Sequence, residues 1–124
     1  MVKKALVNEL QKILKEMEQE KGKFTLVILA RMKDQWPKRR WRFAAVAPWI
    51  DAVGKREAIG YLHPKLFANP APDYLGSFED ATVFFTKDPL VQEILEEYGT
   101  DYQSPLIING RTFDQIEFEE LILL

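Results

Sequence analysis

The sequence predicts an α+β fold, in which a single domain over residues 1–124 has the order α-β-β-α-β-α-β-β and helices packed on a mixed sheet. A chain of 124 residues normally forms one domain. Stretches with apolar residues three and four positions apart alternate with short runs of β-branched and aromatic residues. No internal repeat, low-complexity tract or long linker divides the chain.

The first three elements are predicted to be a helix followed by two strands. Residues 2–20 form an amphipathic helix that ends at Gly22. Its apolar positions share one face and are Leu6, Leu10, Ile13, Leu14 and Met17. Residues 23–32 are apolar on both sides of a strand, which indicates an interior position in the sheet. Residues 41–47 follow after a polar connection, and the pair is typical of an antiparallel hairpin in which Trp41 faces the core.

The middle of the chain predicts a helix, a loop and a strand. The helix follows Pro48, and Pro64 should kink it or stop it near residues 61–63, because proline lacks the amide hydrogen that the helix needs. Residues 68–76 are rich in proline and turn-forming residues and indicate a loop. Residues 81–86 are strong β-formers and indicate the third strand.

The last elements are a helix and two strands. Asp88-Pro89 is a favoured start for a helix, with an N-cap aspartate followed by proline. A short strand over 106–108 is followed by a predicted tight turn at Asn109-Gly110. The final strand covers 116–124, and we expect it inside the sheet. Its alternation breaks at Glu119-Glu120, which indicates a bulge or a twist.

Composition excludes several kinds of protein. The chain has no cysteine, so disulfides, thiol nucleophiles and cysteine-based zinc sites are ruled out. The charged N-terminal segment does not match a signal peptide. The longest apolar run, residues 26–30, is far shorter than the roughly 18 residues that a membrane span requires. We therefore expect a soluble, cytoplasmic protein that does not associate with a membrane.

Charge is divided unevenly along the chain. Residues 1–65 contain 15 Lys/Arg and 7 Asp/Glu, a net charge of +8, whereas residues 66–124 contain 2 and 12, a net charge of −10. Three interpretations stay open. The basic half could bind an anionic partner, the two halves could attract each other within one fold, or copies of the chain could associate head to tail.

The sequence contains no recognisable catalytic or metal-binding constellation. His63 is the only histidine, and a zinc site needs several nitrogen or sulfur ligands. Adjacent acids such as Glu96-Glu97 diverge on a helix or a strand, so they make poor joint ligands and are interpreted as solvated residues. No glycine-rich phosphate loop is present. The sequence thus predicts no catalytic residue, metal or cofactor, and it favours a protein that is not an enzyme.

The connection between the first two strands is a candidate nucleic-acid site. Its cations and its one extra tryptophan could contact phosphates or stack on a base. The residues concerned are Lys33, Trp36, Lys38, Arg39, Arg40 and Arg42. Against this, a hairpin bend is polar in any case, and the pI of about 5.5 is well below the value above about 9 that is typical of nucleic-acid-binding domains.

A second candidate is a pocket formed by Trp49, Asp51 and His63. Pro48 ends the second strand, and Trp49 could either cover the edge of the core or line a pocket with Asp51. The structural interpretation of Trp49 is favoured. An enzyme would need all three side chains in one cavity.

Two motifs resemble those of a group of small bacterial proteins of unknown function. These are a tryptophan strand that ends in Ala-Pro-Trp, here residues 41–49, and an Asp-Pro-hydrophobic-Val-Gln helix start, here residues 88–92. A closing strand with Ile116-Glu117 completes a likeness that spans residues 24–124. The resemblance implies a shared fold and no particular activity. The group has an acid after its first tryptophan, where this chain has Arg42.

We expect a small non-catalytic protein-interaction module that binds a protein partner or forms a homodimer. This hypothesis follows from a well-formed core, a polarised charge distribution and the lack of a reactive constellation. The alternative is a nucleic-acid-binding accessory protein that uses the basic hairpin tip.

Overall fold

A computed structural model of the protein describes residues 2–32, 41–67 and 78–124, with side chains from Val7 in the first range and from Ala81 in the last. The predicted α+β class and the order of elements are confirmed, with the second predicted helix divided in two. The elements are α1 (Val2–Lys21), β1 (Leu26–Met32), β2 (Trp41–Val46), α2 (Pro48–Val53), α3 (Lys55–Phe67), β3 (Phe78–Val83), α4 (Pro89–Tyr98), β4 (Leu106–Phe113) and β5 (Ile116–Leu123).

The five strands form one mixed sheet with the spatial order β3-β2-β1-β5-β4. β1 pairs antiparallel with both β2 and β5, and β4 pairs antiparallel with β5. β2 and β3 are parallel and are joined through α2 and α3, as a parallel pair requires a crossover connection. The predicted hairpin of the first two strands and the interior position of the last strand are both confirmed.

The sheet is covered on both faces. On the first face, called the α1 face, the sheet packs against α1, α2 and α3 through Val27, Leu29, Trp41, Phe43, Ala45 and Ile122. On the opposite face, called the α4 face, it packs against α4 through Leu26, Ile28, Ala30, Ala44, Val46, Leu121 and Leu123. The central strand β1 is buried from Leu26 to Ala30, which explains why it is apolar on both sides.

Helix α4 begins and ends where the sequence predicts. The side chain of Asp88 accepts a hydrogen bond from the Leu90 amide at 3.0 Å, and Pro89 occupies the first turn. At the other end, the amide of Gly99, whose φ is +66°, donates to the carbonyl of Leu95. The cap and the apolar stripe together fix α4 against the sheet.

Of the two outcomes predicted near residues 61–63, a kink or a stop, the stop does not occur. α3 continues through Pro64 to Phe67, and its buried residues Leu62 and Leu66 lie on either side of the proline. Burial of the apolar stripe therefore outweighs the loss of one helical hydrogen bond.

The predicted tight turn at Asn109-Gly110 is also wrong. Both residues lie within β4, and the hairpin turn is at Asp114 and Gln115, with φ values of +48° and +66°. Two consecutive residues with positive φ are the geometry that a two-residue hairpin needs, because the twist then matches that of the strands. The register, in which Phe113 pairs with Ile116, fixes the turn there.

A bulge in β5 reverses the direction of its side chains, in agreement with the broken alternation in the sequence. Arg31 of β1 pairs with Glu120, but the next residue, Met32, pairs with Phe118, so Glu119 is the extra residue. The pairing of β4 with β5 shows no shift at this point, so β4 reverses as well, at Gly110, whose φ is +62°. Because of this reversal, the hairpin of β4 and β5 buries apolar side chains on the α4 face on both sides of the bulge.

A partly buried ion pair lies on the α1 face next to the bulge. Arg31 Nη2 is 2.6 Å from Glu120 Oε1, and the two side chains are 27% and 7% exposed. The guanidinium also lies over the ring of Trp41, 4.9 Å from its centroid. The Nε hydrogen of Arg31 is buried without a partner among the described residues. Arg31 therefore depends strongly on Glu120 for compensation of its charge.

Candidate protein-binding site

The strand β4 forms one edge of the sheet. Its inner side pairs with β5, and no other strand of the described chain pairs with its outer side. Among the side chains that the structure describes, Ile107 is the most exposed of the large apolar ones, at 47%. An edge strand presents unpaired backbone donors and acceptors, and β4 lacks the lysines and prolines that usually block such an edge.

Helix α4 runs beside this edge in the direction opposite to β4. Near the start of the helix, a carboxylate oxygen of Glu93 accepts a hydrogen bond from the amide of Asp114 in the hairpin turn. Near its end, Arg111 of β4 makes a bidentate contact with Glu97, with both nitrogen–oxygen distances at 2.5 Å. These two contacts fix the distance between the helix and the strand.

A groove of about 390 Å³, called the α4 groove, lies between α4 and the edge of β4. It is lined by Glu93, Glu96, Glu97, Arg111, Thr112 and Phe113. The hydrogen bond from Arg111, followed by that from Tyr98, holds the pKa of Glu97 below its usual value. Arg111 compensates one of the three glutamates, so the groove has a negative charge at neutral pH.

The sequence alone does not predict this site. Glu96-Glu97 is interpreted there as a solvated pair, because the residues diverge on a helix, and β4 is predicted to be only three residues long. The missed signal is the spacing of Glu93 and Glu97, which puts them on one flank of α4. That flank becomes significant only because the topology sets it beside an edge strand.

The predicted nucleic-acid site falls almost entirely outside the described residues. Lys33, Trp36, Lys38, Arg39 and Arg40 are not described, and only Arg42 is. Arg42 is half-buried on β2 and lines a small apolar cavity on the α4 face, together with Ala44 and Phe118. Its neighbour Trp41 is buried on the α1 face, as predicted.

The three residues of the second predicted pocket have different partners. Asp51 binds Thr86, with Oδ1 accepting from the backbone amide at 2.9 Å and Oδ2 from the hydroxyl at 2.5 Å. Gln92 donates to the carbonyl of Thr86 at 2.5 Å, which completes the hydrogen bonds of that residue. Asp51 thus connects α2 to the segment before α4. His63 is exposed, and its ring stacks 4.5 Å from that of Phe67.

Trp49 lies in an aromatic cluster rather than beside Asp51. Its ring makes edge contacts with Phe24 at 6.1 Å and with Tyr61 at 5.6 Å. Its indole Nε1 is buried and has no hydrogen-bond partner among the described residues. A buried donor without a partner costs about 1–3 kcal/mol.

Trp49→Phe is expected to change the free energy of unfolding by no more than about 1 kcal/mol, because loss of the unpaired donor offsets the loss of ring volume. Trp49→Ala, which also removes the aromatic contacts, should cost about 3 kcal/mol. Urea denaturation of the three proteins measures both effects. If Trp49→Phe costs as much as Trp49→Ala, the indole nitrogen has an essential partner and the interpretation is wrong.

Within the ranges that the structure describes, no group of three or more histidine, aspartate or glutamate side chains could hold a metal ion. In the same residues, no helix combines the length and apolarity that crossing a bilayer demands. Both findings concern only 2–32, 41–67 and 78–124.

Comparison of the chain with protein-family models, with curated proteins and with solved structures finds no match. The resemblance to small bacterial proteins, based on residues 41–49 and 88–92, stays a prediction.

Proposed function

We propose that the protein is a non-catalytic protein-interaction module that binds an extended, positively charged segment of a partner protein along β4. The observation that carries the proposal is the coincidence of an open sheet edge with the acidic α4 groove. Addition of a strand to a free edge, next to a helix that selects side chains, is a recurring mode of peptide recognition.

The geometry of strand addition specifies the partner. A strand that pairs with β4 would direct alternate side chains to the two faces of the sheet. On the α4 face those side chains would meet Glu93, Glu96 and Glu97, so lysine or arginine is favoured there. On the other face they would lie near Ile107, which favours an apolar residue. The proposed partner segment therefore has a basic residue at every second position beside the α4 groove and an apolar residue beside Ile107, with a reversal opposite Gly110 that matches that of β4.

A partner protein, rather than a second copy, is the proposed source of this segment. The chain has its own cationic stretch, residues 38–42, but Trp41 and Arg42 already belong to β2. Trp41 is 5% exposed and Arg42 is half-buried, so donating them would disrupt the sheet. Two copies that pair through β4 would also bring like-charged α4 grooves together, which is unfavourable.

The test is binding of a labelled peptide of alternating lysine and valine, measured by fluorescence anisotropy at low salt. Binding is expected, and Glu96→Lys should weaken it by about fivefold or more through loss of an attraction and gain of a repulsion. Glu96 is the best position, because it is exposed and its side chain has no partner among the described residues. Glu57→Lys, an exposed position on α3, is the matched control and should bind normally.

A second peptide tests the strand pairing itself. N-methylation of alternate peptide amides removes main-chain donors without changing the lysines. When the methylated amides are those that point toward β4, binding should be abolished. Equal binding of the methylated peptide, or of the Glu96→Lys protein, would contradict the proposal. Sedimentation of the free protein tests the other source, since a stable dimer that excludes the peptide would favour a second copy.

A further inference from the structure

A second groove lies on the opposite side of the molecule from the α4 groove. This groove, called the α1 groove, has a volume of about 600 Å³ and separates one flank of α1 from the start of β1 and from Leu124. Ligand sites in proteins commonly measure about 300–1,000 Å³. The hydrogen bond from Gln11 Nε2 to Ser104 Oγ, at 3.1 Å, connects α1 to the segment before β4 and bounds the groove.

The lining combines an apolar floor with polar groups along the helix. The apolar residues are Leu14, Phe24, Leu26, Val27 and Leu124, of which Phe24 and Leu124 are half-buried and the other three are at most 7% exposed. The helix contributes polar residues that recur at spacings of three and four and therefore share one flank of α1. They are Asn8, Gln11, Lys12, Lys15 and Glu18. Thr25 and Ser104 add hydroxyl groups. Such a surface suits an amphipathic ligand with one polar end.

The charged residues that line the α1 groove indicate that the polar end of the ligand carries a single negative charge. Lys12 is already 3.6 Å from Glu9, so its charge is partly compensated. Lys15 has no ion-pair partner among the described residues, and it is exposed beside the floor. Glu18, whose carboxylate accepts a hydrogen bond from the Phe24 amide at 3.1 Å, makes one end of the groove acidic. One uncompensated cation next to an acid favours a monoanion over a phosphate with two charges.

We propose that the α1 groove binds a small amphipathic carboxylate, with its carboxylate at Lys12 and Lys15 and its hydrocarbon body on Phe24 and Leu124. Asn8 could donate a further hydrogen bond to the carboxylate, since its side-chain amide is exposed on the same flank. The hydrocarbon would cover half-buried Leu124 and Phe24, and burial of that apolar area supplies the main attraction.

The probe is octanoate, titrated into the protein and followed by calorimetry and by amide chemical shifts. Octanoate should bind, with the largest shifts at residues of the α1 groove, whereas acetate and 1-octanol should bind at least about fivefold more weakly, because each lacks one of the two interactions. The double variant Lys12→Gln/Lys15→Gln should weaken octanoate binding by about fivefold or more.

The matched control is Lys21→Gln/Lys23→Gln, which makes the same change in net charge at exposed positions that do not line the groove. This control protein should bind octanoate as the unmodified protein does. Four outcomes would overturn the proposal, namely no binding of octanoate, equal binding of 1-octanol, equal binding by the Lys12→Gln/Lys15→Gln protein, and equal weakening by the control. All four lysines are exposed on the surface, so thermal unfolding should show that every variant folds.

Discussion

A chain that lacks Leu121–Leu124 is expected not to fold. Leu121, Ile122 and Leu123 are each 0% exposed, and they supply both cores because their side chains alternate between the α1 and α4 faces. β5 also holds β4 to the rest of the sheet. Loss of one buried leucine or isoleucine commonly costs about 2–5 kcal/mol, and total stabilities are about 5–15 kcal/mol.

Circular dichroism and urea denaturation of the shortened chain test this expectation, and a cooperative transition like that of the intact protein would contradict it. Ile122→Ala is the milder variant, with an expected loss of about 2–5 kcal/mol. The matched control is Ile107→Ala, an apolar truncation one strand away, at a side chain that is 47% exposed. That substitution should change stability by less than about 0.5–1 kcal/mol.

Glu120→Ala is expected to destabilise the protein by about 2–3 kcal/mol, because it leaves the partly buried charge of Arg31 without its partner. The carboxylate is 7% exposed and lies 2.6 Å from the guanidinium. The Nε hydrogen of Arg31 already has no partner within the described chain, so loss of the Glu120 carboxylate would leave the guanidinium with still fewer hydrogen bonds. The free energy of unfolding in urea is the measurement.

The neighbouring residue supplies the control, since Glu119→Ala removes an exposed carboxylate from the same strand and should cost less than about 0.5 kcal/mol. The double variant Arg31→Met/Glu120→Leu removes both charges and should recover most of the stability. A loss for Glu120→Ala that is no larger than that for Glu119→Ala would show that the pair contributes little. Failure of the double variant to recover stability would indicate that the packing of Arg31 on Trp41 matters more than its charge.

The fold is largely predictable from the sequence because its main elements have strong local signals. The apolar run of β1 identifies an interior strand, and Asp88 and Pro89 mark the start of α4 by cap chemistry. The errors occur where tertiary contacts override local preference. α3 passes through Pro64 because Leu62 and Leu66 both gain by burial. The hairpin turn falls at Asp114 and Gln115 because strand register, not turn propensity, determines its place.

The candidate sites are much less predictable. Glu97 and Arg111 are 14 positions apart in the sequence and meet only because α4 lies beside an edge strand. Similarly, Lys15 and Ser104 line one groove only because α1 packs across the α1 face of the sheet, where Ile122 of β5 is buried. Pattern analysis detects periodicity within one element, whereas both grooves form between elements. Asp51 illustrates the same difference, since its role in holding Thr86 depends on a residue 35 positions away.

The left-handed conformation of Gly110 has a consequence for colloidal behaviour. It interrupts the regular alternation of β4 and leaves an apolar run of only Leu106–Ile108 before the interruption. Stacking of identical chains into fibrils requires about six or seven flat residues that repeat without a break. The interruption therefore divides the outer edge of β4 into two segments that are each shorter than this, and a residue with a side chain at position 110 that straightened β4 would make the protein more prone to amyloid formation.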